Sequence, residues 1–150
     1  MPNWELAEDT PFNNFIQTIR NDDKAGLLEY LENKVFHVDT KDHLGLTPLF
    51  HAAINSKHRM VKELLKWGAY INMVCGDCYV TPLMVASGYG YVNVCVALLN
   101  ESADMYLKDR YGNTARTWAL RTNQKIVLDL FEEHKIIKSL DSHAKLKLRR

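Results

Sequence analysis

A short motif recurs along the chain at a nearly constant spacing, and that recurrence limits the fold more than any single residue does. Thr47, Thr81 and Thr114 stand 34 and 33 residues apart. Ala52, Ala86 and Ala119 keep the same spacing, and so do Leu64, Leu98 and Phe131. An apolar pair precedes each of the last three: Met60-Val61, Val94-Cys95 and Val127-Leu128. Gly68-Ala69 matches Ser102-Ala103. A period of this length marks a stack of small helical units. No unit buries its own apolar face, so each must pack on the next.

Each recurring piece has a local physical reason. Thr47 and Thr81 are placed to cap a first helix, with Pro48 and Pro82 at the first helical position, where proline loses no helical hydrogen bond. Small residues at Ala52, Ala86 and Ala119 let neighbouring first helices approach closely. The spacing within Met60–Leu65 and Val94–Leu99 makes one apolar face at helical period. Gly68 is placed to end a second helix in a left-handed turn. A more degenerate unit precedes these three. Phe12, Phe15, Ile16 and Ile19 predict a helix at about residues 11–20, and Leu27, Leu28, Tyr30 and Leu31 a second at about 24–33.

The pattern Thr-Pro-Leu, a small residue soon after it and a closing Leu-Leu-x-x-Gly-Ala resembles the ankyrin-repeat family over about residues 11–135. The resemblance implies an all-α repeat solenoid of about four helix-turn-helix units with projecting β-hairpin loops. Its repeats fall at about 11–41, 42–74, 75–108 and 109–138. Residues 1–10 form an N-terminal extension, whose Trp4 has no assigned role, and 139–150 a basic tail that either extends a helix or frays.

Three departures from the family pattern stand out. The usual histidine after Thr-Pro-Leu is replaced by Phe50, Met84 and Thr117. The turn glycine present as Gly45 and Gly112 is Tyr79 in the third repeat, where one extra residue lies between Asn72 and Thr81. A distorted hairpin is expected there, because tyrosine resists the positive φ that glycine accepts. In the last repeat Ala115-Arg116 stands in place of Pro-Leu, either because a C-terminal cap facing water tolerates Arg116 or because Arg116 serves a function.

Composition narrows the function. The 150 residues are 47% hydrophobic and 25% charged, with net charge +1, so no global field draws the chain to nucleic acid or acidic membranes. The stretch from His134 to Arg150 nevertheless carries six Lys/Arg against one Asp. Cys75, Cys78 and Cys95 do not form a disulfide framework, which points to a reducing compartment, cytoplasm or nucleus. The N-terminus lacks a secretory pattern, and no apolar run has membrane-spanning length. Cys75-Gly-Asp-Cys78 supplies only two of the four ligands of a structural zinc, and it lies in a hairpin rather than at a redox strand–helix junction. Cys95 stands at a core position. Histidines lack ligand spacing, and phosphate-loop and hydrolase motifs are absent. The reading is therefore no catalytic residues, no metal and no cofactor.

What remains is binding. The resemblance implies that partners lie on a concave face built from hairpin tips and first helices. Position by position, the tips are His43, Leu44 and Leu46; Cys78, Tyr79 and Val80; Arg110, Tyr111 and Asn113. The helix positions are Ile54 and Asn55; Gly88 and Tyr89; Arg121 and Thr122; and, in the first repeat, Arg20 and Asn21. Leu44, Tyr79, Val80, Tyr89 and Tyr111 are expected to expose apolar groups, which invites a protein partner. Trp118 is expected in the core and Trp67 near the convex side. The expected role is a small adaptor or stoichiometric inhibitor. The alternative is attachment to nucleic acid or a membrane surface through the basic tail. Oligomeric state stays open.

Overall fold

The computed structural model describes residues 10–148, with side chains described through Lys145. Trp4, Glu5, Glu8, Asp9, Arg149 and Arg150 lie outside the described residues, as do the side chains of Leu146, Lys147 and Leu148. Among the described residues eight helices follow one another: α1 Pro11–Arg20, α2 Lys24–Glu32, α3 Pro48–Ile54, α4 His58–Lys66, α5 Pro82–Tyr89, α6 Val92–Asn100, α7 Ala115–Arg121 and α8 Lys125–Leu148. They form four helix pairs. The first helices α1, α3, α5 and α7 pack in a row, and α4, α6 and α8 make a second row behind them.

Four threonines start the four first helices. Thr10, Thr47, Thr81 and Thr114 each accept a hydrogen bond from the backbone N–H three residues on, at 3.2 to 3.3 Å. Pro11, Pro48 and Pro82 follow their caps. The first repeat thus shares the Thr-Pro start of its neighbours. Each first helix ends in a left-handed residue: Asp22, Ser56, Gly90 and Asn123. There the next residue's N–H reaches back to Thr18, Ala52, Ala86 or Ala119 at 2.8 to 2.9 Å. Second helices stop in the same way at Lys34, Gly68 and Ser102. The same turn thus joins the two helices of each repeat.

Burial follows the row of small residues. Ala52, Ala86 and Ala119 are fully buried, and Leu49, Leu83, Leu64, Leu98 and Phe131 fill the space around them. The two ends close differently. At the N-terminal end Phe12, Phe15, Tyr30 and Phe36 pack ring on ring, with centroids 5.1 to 6.0 Å apart. At the other end, Arg116 and Glu132 occupy the positions of Leu83 and Leu99 in the repeat before. The Arg116 guanidinium meets the Glu132 carboxylate at 3.4 Å, and both remain in water. A seam that is apolar inside the stack is polar where nothing described packs on it.

The hairpin loops are short, and the single isolated bridge among the described residues joins Cys75 and Val80. In the second and fourth repeats an aspartate organises the loop. The Asp42 Oδ1 accepts from the N–H groups of Leu44 and Leu46, both at 2.9 Å. Its Oδ2 lies 2.7 Å from His51 Nε2. Asp109 repeats this: Oδ1 accepts from Tyr111 and Asn113 N–H at 2.9 and 2.8 Å, and Oδ2 from the Trp118 indole at 3.0 Å. Gly76 and Val85 stand at the matching places of the third repeat, so that loop has no such brace.

The sides of these contacts differ in charge. Burial holds His51 below the ordinary imidazole value of 6.5 against the opposing pull of Asp42. At neutral pH the ring is therefore neutral and donates Nε2–H to the carboxylate. Burial alone would raise Asp42, but the Leu46 N–H, the His51 ring and the Leu44 N–H outweigh it and bring the carboxyl below 3.8. Both shifts make acid destabilising. The folded state refuses a proton that unfolded His51 accepts below pH 6.5. The stability from Asp42 is present above pH 3.8 and is lost as the pH falls through its lowered folded value. The urea midpoint should fall in two steps on acidification, one starting near pH 6.5 and one below pH 3.8. His51→Gln should shrink the first step, leaving the share from His134, which burial also lowers. Asp42→Ala should cost about 2 kcal/mol at pH 7, because two loop N–H groups and the His51 ring lose their acceptor.

Candidate binding groove

The three loop tips point the same way and are tied to one another. The Arg110 N–H donates to the Cys78 carbonyl at 2.9 Å, and its guanidinium reaches the Asp77 carbonyl at 3.4 Å. Lys41 Nζ donates to the Val74 carbonyl at 3.3 Å, and the Thr47 hydroxyl lies 3.7 Å from Cys75 Sγ. Contacts within the chain therefore tie each tip to the next, by a backbone bond between the second and third and through the Lys41 and Thr47 side chains between the first and second. Leu44, Tyr79 and Tyr111, one from each tip, are all more than half exposed. Behind them on α5, Tyr89 is equally exposed and stacks on Tyr91, with ring centroids 5.5 Å apart. A cleft of about 430 Å³ opens between the first two tips, lined by Lys41, His43, Leu44, Gly45, Val74, Gly76, Asp77 and Tyr79.

Tyr79 is the unusual member. Its φ is +55°, in the left-handed region that Gly45 and Gly112 occupy at +74° and +81°. The expected distortion of this hairpin is not what occurs. The loop closes, with N–H to carbonyl distances of 2.9 and 3.1 Å between Cys75 and Val80, and the Tyr79 N–H still reaches the Gly76 carbonyl at 3.3 Å. Gly76, itself at φ +65°, takes up the extra residue. The tyrosine accepts a conformation that costs roughly 1–2 kcal/mol for an L-residue and places a phenol where the sister loops carry no side chain.

Several sequence expectations change here. Val80 is buried, because it closes the bridge, and is not an exposed tip residue. Leu46, Cys78 and Ile54 are half-buried and rest against the core. Asn113 is also half-buried, its amide donating to both Asp109 oxygens at 3.2 and 3.1 Å. Gly88 is buried beneath Trp118, and a Cβ there would sit 2.9 Å from Trp118 Cε3. Asn55 is exposed, but its amide is spent on the His51 carbonyl at 2.8 Å. His43, Arg110, Arg121, Thr122, Arg20 and Asn21 face solvent as expected. Trp118 is half-buried against the core, and Trp67 is partly exposed.

The cysteines are all free. Burial raises the Cys95 thiol to about 11, despite a hydrogen bond with Ser87, so it behaves as a packing group. Cys75 is buried, while Cys78 lies beside Tyr111. A hydrogen bond from that pair, followed by the thiol's charge, holds the Tyr111 phenol above the usual tyrosine range. Among the described residues, no three His, Cys, Asp or Glu side chains gather as metal ligands, and no helix is long and apolar enough to cross a membrane.

Residues 44–73 and 79–110 each match the sequence pattern of the ankyrin repeat. The chain is similar to the inactive serine/threonine-protein kinase TEX14 of Bos taurus, 32% identical over 120 residues, covering 72% of this chain and 8% of that protein. It is also similar to palmitoyltransferase AKR1 of Lachancea kluyveri, 30% identical over 108 residues, covering 71% of this chain and 15% of the relative. Human palmitoyltransferase ZDHHC17 is 34% identical over 77 residues, covering 51% of this chain and 12% of the relative. The chain thus spans between 8% and 15% of these relatives.

The strain at Tyr79 has a direct test. Tyr79→Gly should raise stability by about 0.5–1 kcal/mol in urea unfolding, the relief of left-handed strain less the entropy that glycine loses on folding. Tyr111→Gly, outside the left-handed region, should give no such gain.

Proposed function

The chain belongs to the ankyrin-repeat family, and we propose that it is a small protein-interaction module, an adaptor or stoichiometric inhibitor, that holds a protein segment along its concave groove. The observation that carries this is the line of Leu44, Tyr79 and Tyr111, exposed on tips whose spacing is already fixed. Preset spacing lowers the ordering cost of binding, and tyrosines supply rigid contact area with one polar end. Tyr89 extends the apolar line inward, while His43, Arg110 and Arg121 frame it with donors. A matching segment would place apolar anchors against the tips and acidic or carbonyl groups near the arginines.

Catalysis has no part in this reading. The enzymatic words in the names of the matched palmitoyltransferases describe those proteins, of which this chain matches a small part. Function on a repeat scaffold is set by the side chains on its tips. The three free thiols support a reducing compartment, cytoplasm or nucleus.

Affinity purification from native cells with mass spectrometry would identify the bound protein, and titration would follow. The double substitution Tyr79→Ala with Tyr111→Ala should weaken capture about 30-fold or more, as loss of central aromatic anchors does, with circular dichroism unchanged. Capture equal to the parent's would rule out this surface.

A further inference from the structure

The last helix outgrows the fold. The second helices α4 and α6 have 9 residues each, whereas α8 has 24. Only its start is held. Val127 and Phe131 are buried, and Leu128 and Leu130 rest on the core. From Glu132 to Lys145 every residue is exposed except the half-buried His134. Large aliphatic groups lie in this projecting part: Ile136, Ile137 and Leu140 are 57%, 56% and 63% exposed. Steps of three and four residues join them and Ala144 into one stripe. Ile126, 68% exposed, lies in the same sector of the helix, but Asp129 and Glu133 separate it from the stripe, which starts at Ile136. That sector is turned away from Val127 and Phe131, leaving the stack clear of whatever the stripe meets.

Charge specifies the occupant. Lys135, Lys138 and Lys145 are exposed, and among the described residues none is paired with an acid. The sequence adds Lys147, Arg149 and Arg150, so that from 132 onward six Lys/Arg stand against Glu132, Glu133 and Asp141, of which Glu132 is taken up by Arg116. A helix with one aliphatic stripe and an excess of cations beside it fits the boundary between lipid headgroups and acyl chains. With the stripe buried there, Lys135, Lys138 and Lys145 come within about one Debye length, roughly 10 Å, of anionic headgroups. Nucleic acid would satisfy the cations but leave the isoleucines and leucine in water. A second copy of the chain would cover the stripe but bring like charges together.

We infer that the projecting half of α8 is a docking helix for an anionic membrane surface. It lies in the interface without spanning it, on a side of the molecule separate from the concave groove.

The test is flotation of the full chain with vesicles of phosphatidylcholine alone or with about a third phosphatidylserine. Anionic vesicles should bind at least tenfold better, and binding should weaken as salt rises from about 0.1 to 0.5 M. Ile137→Glu with Leu140→Glu should reduce binding at least tenfold with an unchanged thermal melt, since both residues are exposed. The groove variant Tyr79→Ala with Tyr111→Ala should float like the parent, which separates this surface from the groove. Equal binding to the two vesicle types overturns the inference. So does undiminished binding by the glutamate variant, which with equal affinity for duplex DNA would mark a polyanion site. Self-association or protein capture through α8 without flotation overturns it as well.

Discussion

Close approach of the first helices is the contact on which the rest of the molecule depends. Ala52, Ala86 and Ala119 have no exposed surface, and any larger side chain in that row would push neighbouring repeats apart. With the row in place, the leucines behind it can meet, the second helices follow, and the loops are carried to one side. Left-handed turns at Ser56, Gly90 and Asn123 then join each helix pair in the same way. The stack works because each repeat lends its apolar face to the next, and so its ends need other solutions. The N-terminal end uses four aromatic rings. The C-terminal end replaces a leucine seam with Arg116 and Glu132. An exposed ion pair contributes little stability, so its use at that seam is to be wetted without cost.

The repeat register, the helix spans and the caps were legible because they are written in local chemistry at a fixed period. Thr47-Pro48 and Thr81-Pro82 could be read without knowing what surrounds them. Thr10-Pro11 carries the same signal, but its irregular distance from Thr47 hid it. The braces from Asp42 to His51 and from Asp109 to Trp118 were harder to see. Their partners stand nine residues apart on different elements, and only the folded loop brings them to 2.7 and 3.0 Å. His51 therefore looked idle in the sequence although it is a buried loop brace. Val80 was misplaced for a related reason: like Leu46 and Asn113 it directly precedes the cap threonine and closes its loop, a role that only the folded hairpin shows.

Tyr79 shows how a correct observation led to the wrong structural outcome. The missing glycine was visible, and its cost was rightly read as conformational. The loop did not yield, though. It moved the extra residue to Gly76, kept its closing hydrogen bonds and held the tyrosine in the strained form. Strain that persists must be over-determined by its surroundings. Here the bridge at Cys75 and Val80 and the contacts from Arg110 supply that determination. A sequence optimised for folding alone would carry glycine at this position, as its two sister loops do.

The loop tips and the projecting helix occupy different parts of the stack. The helix of the last repeat extends beyond the array at small structural expense. It nucleates on the buried Val127 and Phe131, so continuing it requires only propagation, one hydrogen bond for each residue added. Its aliphatic stripe turns away from the stack and Lys135, Lys138 and Lys145 are exposed on it, while the tips that carry Leu44, Tyr79 and Tyr111 are built from other segments. Two surfaces with different chemistries thus arise from one repeat array. One depends on tied loops with aromatic anchors and the other on length and charge, and a change in either can leave the other intact.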